Sequence, residues 1–243
     1  MKYIYILTDC KNCMEMFKFS YNSLLPFLNS KDEVIVFTGI DIGKQSGFTT
    51  KSLIIEQKFN STLDILIKKL EVMLDIPDSE ECCVVDIDTE FTNKPTFHPE
   101  YPMFHQRETK MHMYLDSHFS ENTKKPDSQS CLDQLENFTK QELDVTQYYW
   151  REYYVYNTGM IYLPIKNRKI MINQAISMIN YINSDSFPRY RQRKNFNRLD
   201  EQTAISFIAN LHYGYGKNTD IKTASHFLNH YWLQKDKNKI WWN

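Results

Sequence analysis

CCVVDIDTEF (82–91) is the stretch on which the reading of this chain turns. Its first four residues are apolar without interruption, the composition of a strand covered on both faces. Asp86 and Asp88 follow at once, one residue apart. Side chains alternate along an extended backbone, so residues two apart point the same way, and two carboxylates on one side repel unless something positive lies between them. A buried strand that ends in such a pair predicts a central strand with a site at its carboxyl end.

The segments on either side support that placement. KYIYILT (2–8), EVIVFTG (33–39) and SLIIEQ (52–57) read as strands, and MEMFKFSYNSLLPFL (14–28) and STLDILIKKLEVMLDI (61–76) as amphipathic helices with apolar residues at three- and four-residue spacing. Further on, YYVYNTGMIYLP (153–164) has strand character, while KIMINQAISMINYINS (169–184) and LDEQTAISFIANL (199–211) are helical. Strands alternating with helices imply an α/β fold, a mostly parallel doubly wound sheet flanked by helices. We expect one domain over residues 1–243, with a polar insertion or flap at about 119–147 in which LDQLENFTKQEL forms a short helix. No internal repeat is evident.

Composition narrows the function classes. The chain has 243 residues, and 29 Lys and Arg against 30 Asp and Glu leave a net charge of −1, so no electrostatic case exists for a nucleic-acid partner or a membrane surface. No apolar run approaches the roughly 20 residues that span a bilayer, and residues 1–8 are too brief for a signal-peptide core. The expectation is a cytoplasmic protein without a transmembrane segment. The cysteine count of five is odd, and adjacent Cys82 and Cys83 inside an apolar strand suit reduced core thiols better than a disulfide framework.

Oxygen ligands at a strand end suit a hard divalent ion such as Mg²⁺ or Mn²⁺, commonly shared with substrate phosphates. The plainer alternative is a pair of acids that caps a turn or meets a lysine. Several motifs in order make the first reading more specific: DID at 86–88, NTGMIYLP at 157–164, DEQ at 200–202 opening a helix, and His226-Phe227 near the end. This set resembles the GT-A nucleotide-sugar glycosyltransferases, in the glycogenin-like and bacterial galactosyltransferase-like branch. The family pattern is a DxD on the central strand, an Asn-Ser/Ala-Gly strand, an Asp-Gln helix start and a late His-Phe-x-Gly stretch.

The resemblance implies a GT-A-like fold and a metal-dependent hexosyl transfer from a nucleoside diphosphate sugar, UDP being the expected carrier, to a glycan, lipid or protein hydroxyl. It implies Asp86, Asp88 and His226 as ligands of Mn²⁺ or Mg²⁺, with Asp86 also on the donor ribose. His212 and His230 compete with His226, because the family's glycine after His-Phe is replaced here by Asn229. Thr8, Asp9 and Asn12 fall where such enzymes hold the nucleoside base, although Asp9 or Asn12 also suits a helix cap. Asn157 and Gly159 match the donor-sugar segment, where a β-bulge glycine is the plainer reading. Asp200 and Gln202 match the Asp-Gln pair, with Glu201 as a second candidate acid; the likeness leans towards retention of configuration, while both acids also suit the positive end of a helix.

Lys217, Lys235 and the basic loop at 189–198 are candidates to stabilise a departing diphosphate, and Trp232, Trp241 and Trp242 to stack on a sugar, although such a charge run is more often a solvated face and C-terminal packing is the plainer reading of the tryptophans. Other classes remain open at this level. Asp86 and Asp88 suit a haloacid-dehalogenase-type phosphatase, but Glu90 occupies the position where that motif needs threonine. CKNC (10–13) lies between a strand and a helix as in thioredoxin-like oxidoreductases, but without the usual tryptophan. A non-catalytic sugar-nucleotide binding protein would carry the same motifs as the transferase.

Overall fold

The computed structural model describes residues 1–8, 12–38, 52–56, 61–111, 113, 128–143, 153–184, 200–214 and 220–231. It is an α/β protein built on a seven-stranded sheet of order β3-β2-β1-β4-β7-β6-β8. The strands are β1 (Lys2–Leu7), β2 (Glu33–Thr38), β3 (Ser52–Glu56), β4 (Cys82–Val85), β6 (Met103–Lys110), β7 (Tyr154–Tyr162) and β8 (Lys222–Thr223). A separate two-stranded ribbon joins β5 (Thr89–Phe91) to β9 (Leu228–His230). The helices are α1 (Cys13–Leu24), α2 (Thr62–Glu71), α3 (Ser128–Glu142), α4 (Ile165–Asn183) and α5 (Asp200–Tyr213).

The pairings β1 with β2, β2 with β3, β1 with β4 and β6 with β8 are parallel. β7 pairs antiparallel with both β4 and β6, so the sheet is mostly parallel around one inverted strand. The expected parallel arrangement therefore holds from β3 through β4 and gives way at β7.

Alternation along the strands divides the core into two. Tyr3, Tyr5, Leu7, Val34, Val36, Cys83 and Val85 face one side, where α1 lays down Cys13, Phe17, Tyr21 and Leu24. Ile4, Ile35, Cys82, Val84, Phe104 and Ile161 face the other, under apolar residues of α4 and α5. A strand whose alternate side chains enter two separate apolar layers has no polar face, which is why β4 is apolar throughout. Arg168, in the first turn of α4, is buried and donates through its guanidinium to the carbonyls of Ile76, Pro77 and Glu80, fixing the loop that feeds β4.

Within the polar stretch at about 119–147, α3 forms where a short helix was expected. Its Leu135 and Phe138 are buried in the larger core, and Phe138 stacks on Tyr181 of α4 at 4.5 Å, so this helix packs on the core. Cys82 and Cys83 are free and buried, as expected, but Cys13 is disulfide-bonded. Among the described residues no helix is long and apolar enough to cross a membrane.

Candidate metal centre

The chain leaves the sheet at the carboxyl end of β4. The Asp86 N–H donates to the Gly159 carbonyl at 2.9 Å, tying the first residue of the turn to β7. Thr89 Oγ1 donates to the Asp86 carbonyl at 2.8 Å and lies 2.8 Å from Ser20 Oγ of α1, which closes the turn from the other side. β5 then pairs antiparallel with β9 in a register that sets Thr89 opposite His230, and the Tyr231 N–H donates to the Asp88 carbonyl at 3.0 Å. That register delivers an imidazole to the aspartates.

Asp86, Asp88 and His230 each offer a ligand atom, and these atoms lie within 4.8 Å of one another. His230 Nε2 is 3.1 Å from Asp88 Oδ1 and 3.6 Å from Asp86 Oδ2. Its Nδ1 lies 2.8 Å from Asn157 Oδ1, which also accepts the Gly159 N–H at 2.9 Å. A Cβ on Gly159 would sit 2.6 Å from His230 Nδ1 and 2.7 Å from Cγ, so β7 passes beneath the ring at a distance that only glycine allows.

A buried cation stands behind the pair. Lys69 of α2 places Nζ 2.8 Å from Asp86 Oδ1 and 3.5 Å from Glu201 Oε1, and donates to the Thr158 carbonyl at 2.7 Å. Burial opposes the lysine charge, but Asp86 and Glu201 outweigh it and raise the Lys69 pKa. Burial raises the pKa of Glu201, against the pull of Lys69. Burial likewise opposes the charges of His230 and Asp88, yet their mutual hydrogen bond prevails: the His230 pKa is raised and that of Asp88 lowered. His105 donates from Nε2 to the Leu228 carbonyl at 3.0 Å and stands edge-on to His230 at 5.5 Å between centroids. Burial, then the charge of His230, lowers its pKa, so this ring is a neutral wall.

Two carboxylates and an imidazole, half-buried and clustered, form a donor set that fits a divalent cation. Lys69 neutralises one of the acids from behind, while His230 shares the remaining charge. The positive partner that the paired aspartates demanded is thus supplied partly by the chain itself.

The structure brings together Asp86, Asp88, Asn157, Gly159, Glu201, Gln202 and the competing candidate His230 of the residues singled out in the sequence. His226 is not among them. It lies exposed in the turn before β9, its Nε2 3.3 Å from Thr96 Oγ1 and its carbonyl accepting from Asn93 Nδ2 at 3.0 Å. The antiparallel register explains the difference: moving back from His230 along β9 leads past Phe91 and away from Asp88. His212, in the last turn of α5, meets Gln174 at 2.7 Å instead. Glu201 points inward, with Oε2 accepting from Thr158 Oγ1 at 3.1 Å, and is buried.

Gln202 donates from Nε2 to Glu108 Oε2 at 3.1 Å. Thr8 follows β1 with Oγ1 3.7 Å from Cys13 Sγ, and Asn12 occupies the N-cap position of α1 in the left-handed region, φ 67°, without a capping side-chain bond. Asp9, Lys217, Lys235, the loop at 189–198, Trp232, Trp241 and Trp242 lie outside the described residues, as does the side chain of Asp200.

Lys69 and Glu108 were missed. Lys69 lies three residues after Leu66 and four before Met73, on an apolar helical stripe where a lysine is out of place unless an acid meets it, and that is the signal that could have found it. Neither a family model nor a curated protein matches this chain.

Proposed function

We propose that this protein is a metal-dependent glycosyltransferase that moves a hexose from a nucleoside diphosphate sugar, UDP-linked, to an acceptor hydroxyl. The observation that carries the reading is the convergence of Asp86, Asp88 and His230 at the carboxyl end of a central strand in an α/β sheet. Ligands of such sheets gather at that edge. The motifs DID, NTGMIYLP and DEQ, which lie around it, support the substrate class.

In this reading Asp86, Asp88 and His230 hold Mn²⁺, whose borderline character accepts imidazole beside carboxylate oxygens. An ion held there by Asp86, Asp88 and His230 would neutralise the diphosphate and supply stabilisation of the charge on the departing nucleotide. The chain's own groups set the stage. Lys69 holds Asp86 in place through its ion pair, and the resemblance assigns Thr8, Asp9 and Asn12 to the base and Asp200 to the sugar side. Glu201, locked to Lys69 and Thr158, serves the framework rather than the substrate.

The test is calorimetric titration of UDP-, GDP- and dTDP-sugars, with and without Mn²⁺, against wild type and Asp88→Ala. The reading expects Mn²⁺-dependent binding of one donor that weakens about tenfold or more in the variant. A protein that binds no donor with Mn²⁺ present refutes it.

A further inference from the structure

We propose that Lys69 sets the cation preference of the site: by holding Asp86 Oδ1 it leaves Asp86 a single oxygen, Oδ2, to give to an ion, and so favours Mn²⁺ over Ca²⁺. Lys69 is then a positioning and specificity-determining residue, an inference that rests on the metal-site reading above.

The two oxygens of Asp86 have different surroundings. Oδ1 lies 2.8 Å from Lys69 Nζ, whereas Oδ2 faces the other ligands, 3.6 Å from His230 Nε2. The main chain of Asp86 is fixed on both sides, its N–H on the Gly159 carbonyl at 2.9 Å and its own carbonyl accepting from Thr89 Oγ1 at 2.8 Å. Only rotation of the side chain brings the second oxygen round, and that rotation breaks the contact with Lys69.

Lys69 is held from behind as well. Its Nζ donates to the Thr158 carbonyl at 2.7 Å and lies 3.5 Å from Glu201 Oε1. Thr158 belongs to β7, which is paired on both sides, and Glu201 takes a hydrogen bond from Thr158 Oγ1 through its other oxygen. An ammonium has three N–H donors, and three acceptors surround this one. Lys69 and Glu201 are both buried, so water does not compete for these contacts. The lysine therefore stays where it is when Asp86 takes an ion.

The consequence for the ion follows from coordination. Ca²⁺ takes about six to eight oxygens and often both oxygens of one carboxylate, while smaller divalent ions are content with an octahedral set. Here one carboxylate is restricted to a single oxygen and the third group is an imidazole nitrogen, which leaves the site short of oxygens for Ca²⁺. The charge of Lys69 does not itself discriminate, because it repels two dications alike. What discriminates is the oxygen it occupies.

The test is a ratio of two affinities. Mn²⁺ binding is read by electron paramagnetic resonance of the free ion, and Ca²⁺ binding by competition against bound Mn²⁺. Wild type should prefer Mn²⁺. Lys69→Met should lower that preference about tenfold, the scale on which groups behind a ligand act. Lys69→Arg, which restores a donor to Oδ1, should keep it. A general loosening of the site, or the loss of one positive charge, changes both affinities together and leaves the ratio alone. Should Lys69→Met not fold, Lys69→Met/Glu201→Gln removes the acid left without its cation and should show the same fall.

A crystal structure of Mn²⁺-loaded wild type should show Oδ2 of Asp86 alone on the ion, with Oδ1 still on Lys69. A ratio unmoved in the Met variants, or both oxygens of Asp86 on the ion, overturns the proposal while Mn²⁺ binding by wild type upholds the metal reading. Wild type that binds neither cation refutes the metal reading, and the proposal falls with it.

Discussion

At Gly159 the cost of a single methyl group can be argued from distance alone. Gly159→Ala drives its Cβ into the His230 ring, and the strand beneath is paired on both sides, so the ring must give way. We expect a loss of about 1–3 kcal/mol in urea denaturation, together with weakened Mn²⁺ binding. His230 also predicts a pH dependence for the metal-free protein. Its folded pKa is raised, so its contribution to stability is complete below the ordinary 6.5 and is lost as pH rises through the folded value. Asp88, whose pKa is lowered, contributes above 3.8 and loses its share only as pH falls through the lower folded value. The stability gap between wild type and His230→Gln should therefore narrow as pH rises from 6.5 through the raised folded value; a gap that widens would contradict the assignment. Asp86 and Asp88 were legible because their spacing is local. His230 was one of three candidates, since only the pairing of β5 with β9, a long-range fact, distinguishes it from His226.

At the scale of elements, α2 contributes its charge to a site formed by β4, β7 and α5. Lys69→Met would leave Asp86 and Glu201 without their shared partner, and removing one member of a buried ion pair costs about 3 kcal/mol. Adding Glu201→Gln should recover part of that loss, because one uncompensated acid is removed; equal stability of the single and double variants in urea would show that the two groups do not couple. The helix itself was plain from its apolar spacing, and so were β1, β2, β4, β7 and α4. β6 was not read as a strand. Gln106, Arg107 and Glu108 make its outer half exposed and polar, so it lacks the apolar run that marks the other strands, and its pairing with β7 slips register twice. Glu108 remained hidden for the same reason.

For the whole molecule, the α/β class and the place of the site followed from β4, because a strand that feeds two apolar layers must be central. The inversion of β7 was not legible: direction depends on how the chain returns to the sheet, and YVYNTGMIY reads the same either way. Within the segment at about 119–147, Leu135 and Phe138 lie three apart on the face that α3 buries, a contact that the polarity of the stretch hid. Phe138→Ala should accordingly destabilise the entire protein by about 3 kcal/mol, with one cooperative transition; an unchanged denaturation midpoint would mark α3 as dispensable. The central claim is that Asp86, Asp88 and His230 hold a divalent cation. Titration of Mn²⁺, followed by electron paramagnetic resonance in wild type, His230→Gln and His226→Gln, tests it most directly. The account predicts saturable binding in wild type and in His226→Gln, weakened about tenfold or more in His230→Gln. Absent binding in wild type, or a loss confined to His226→Gln, would contradict it.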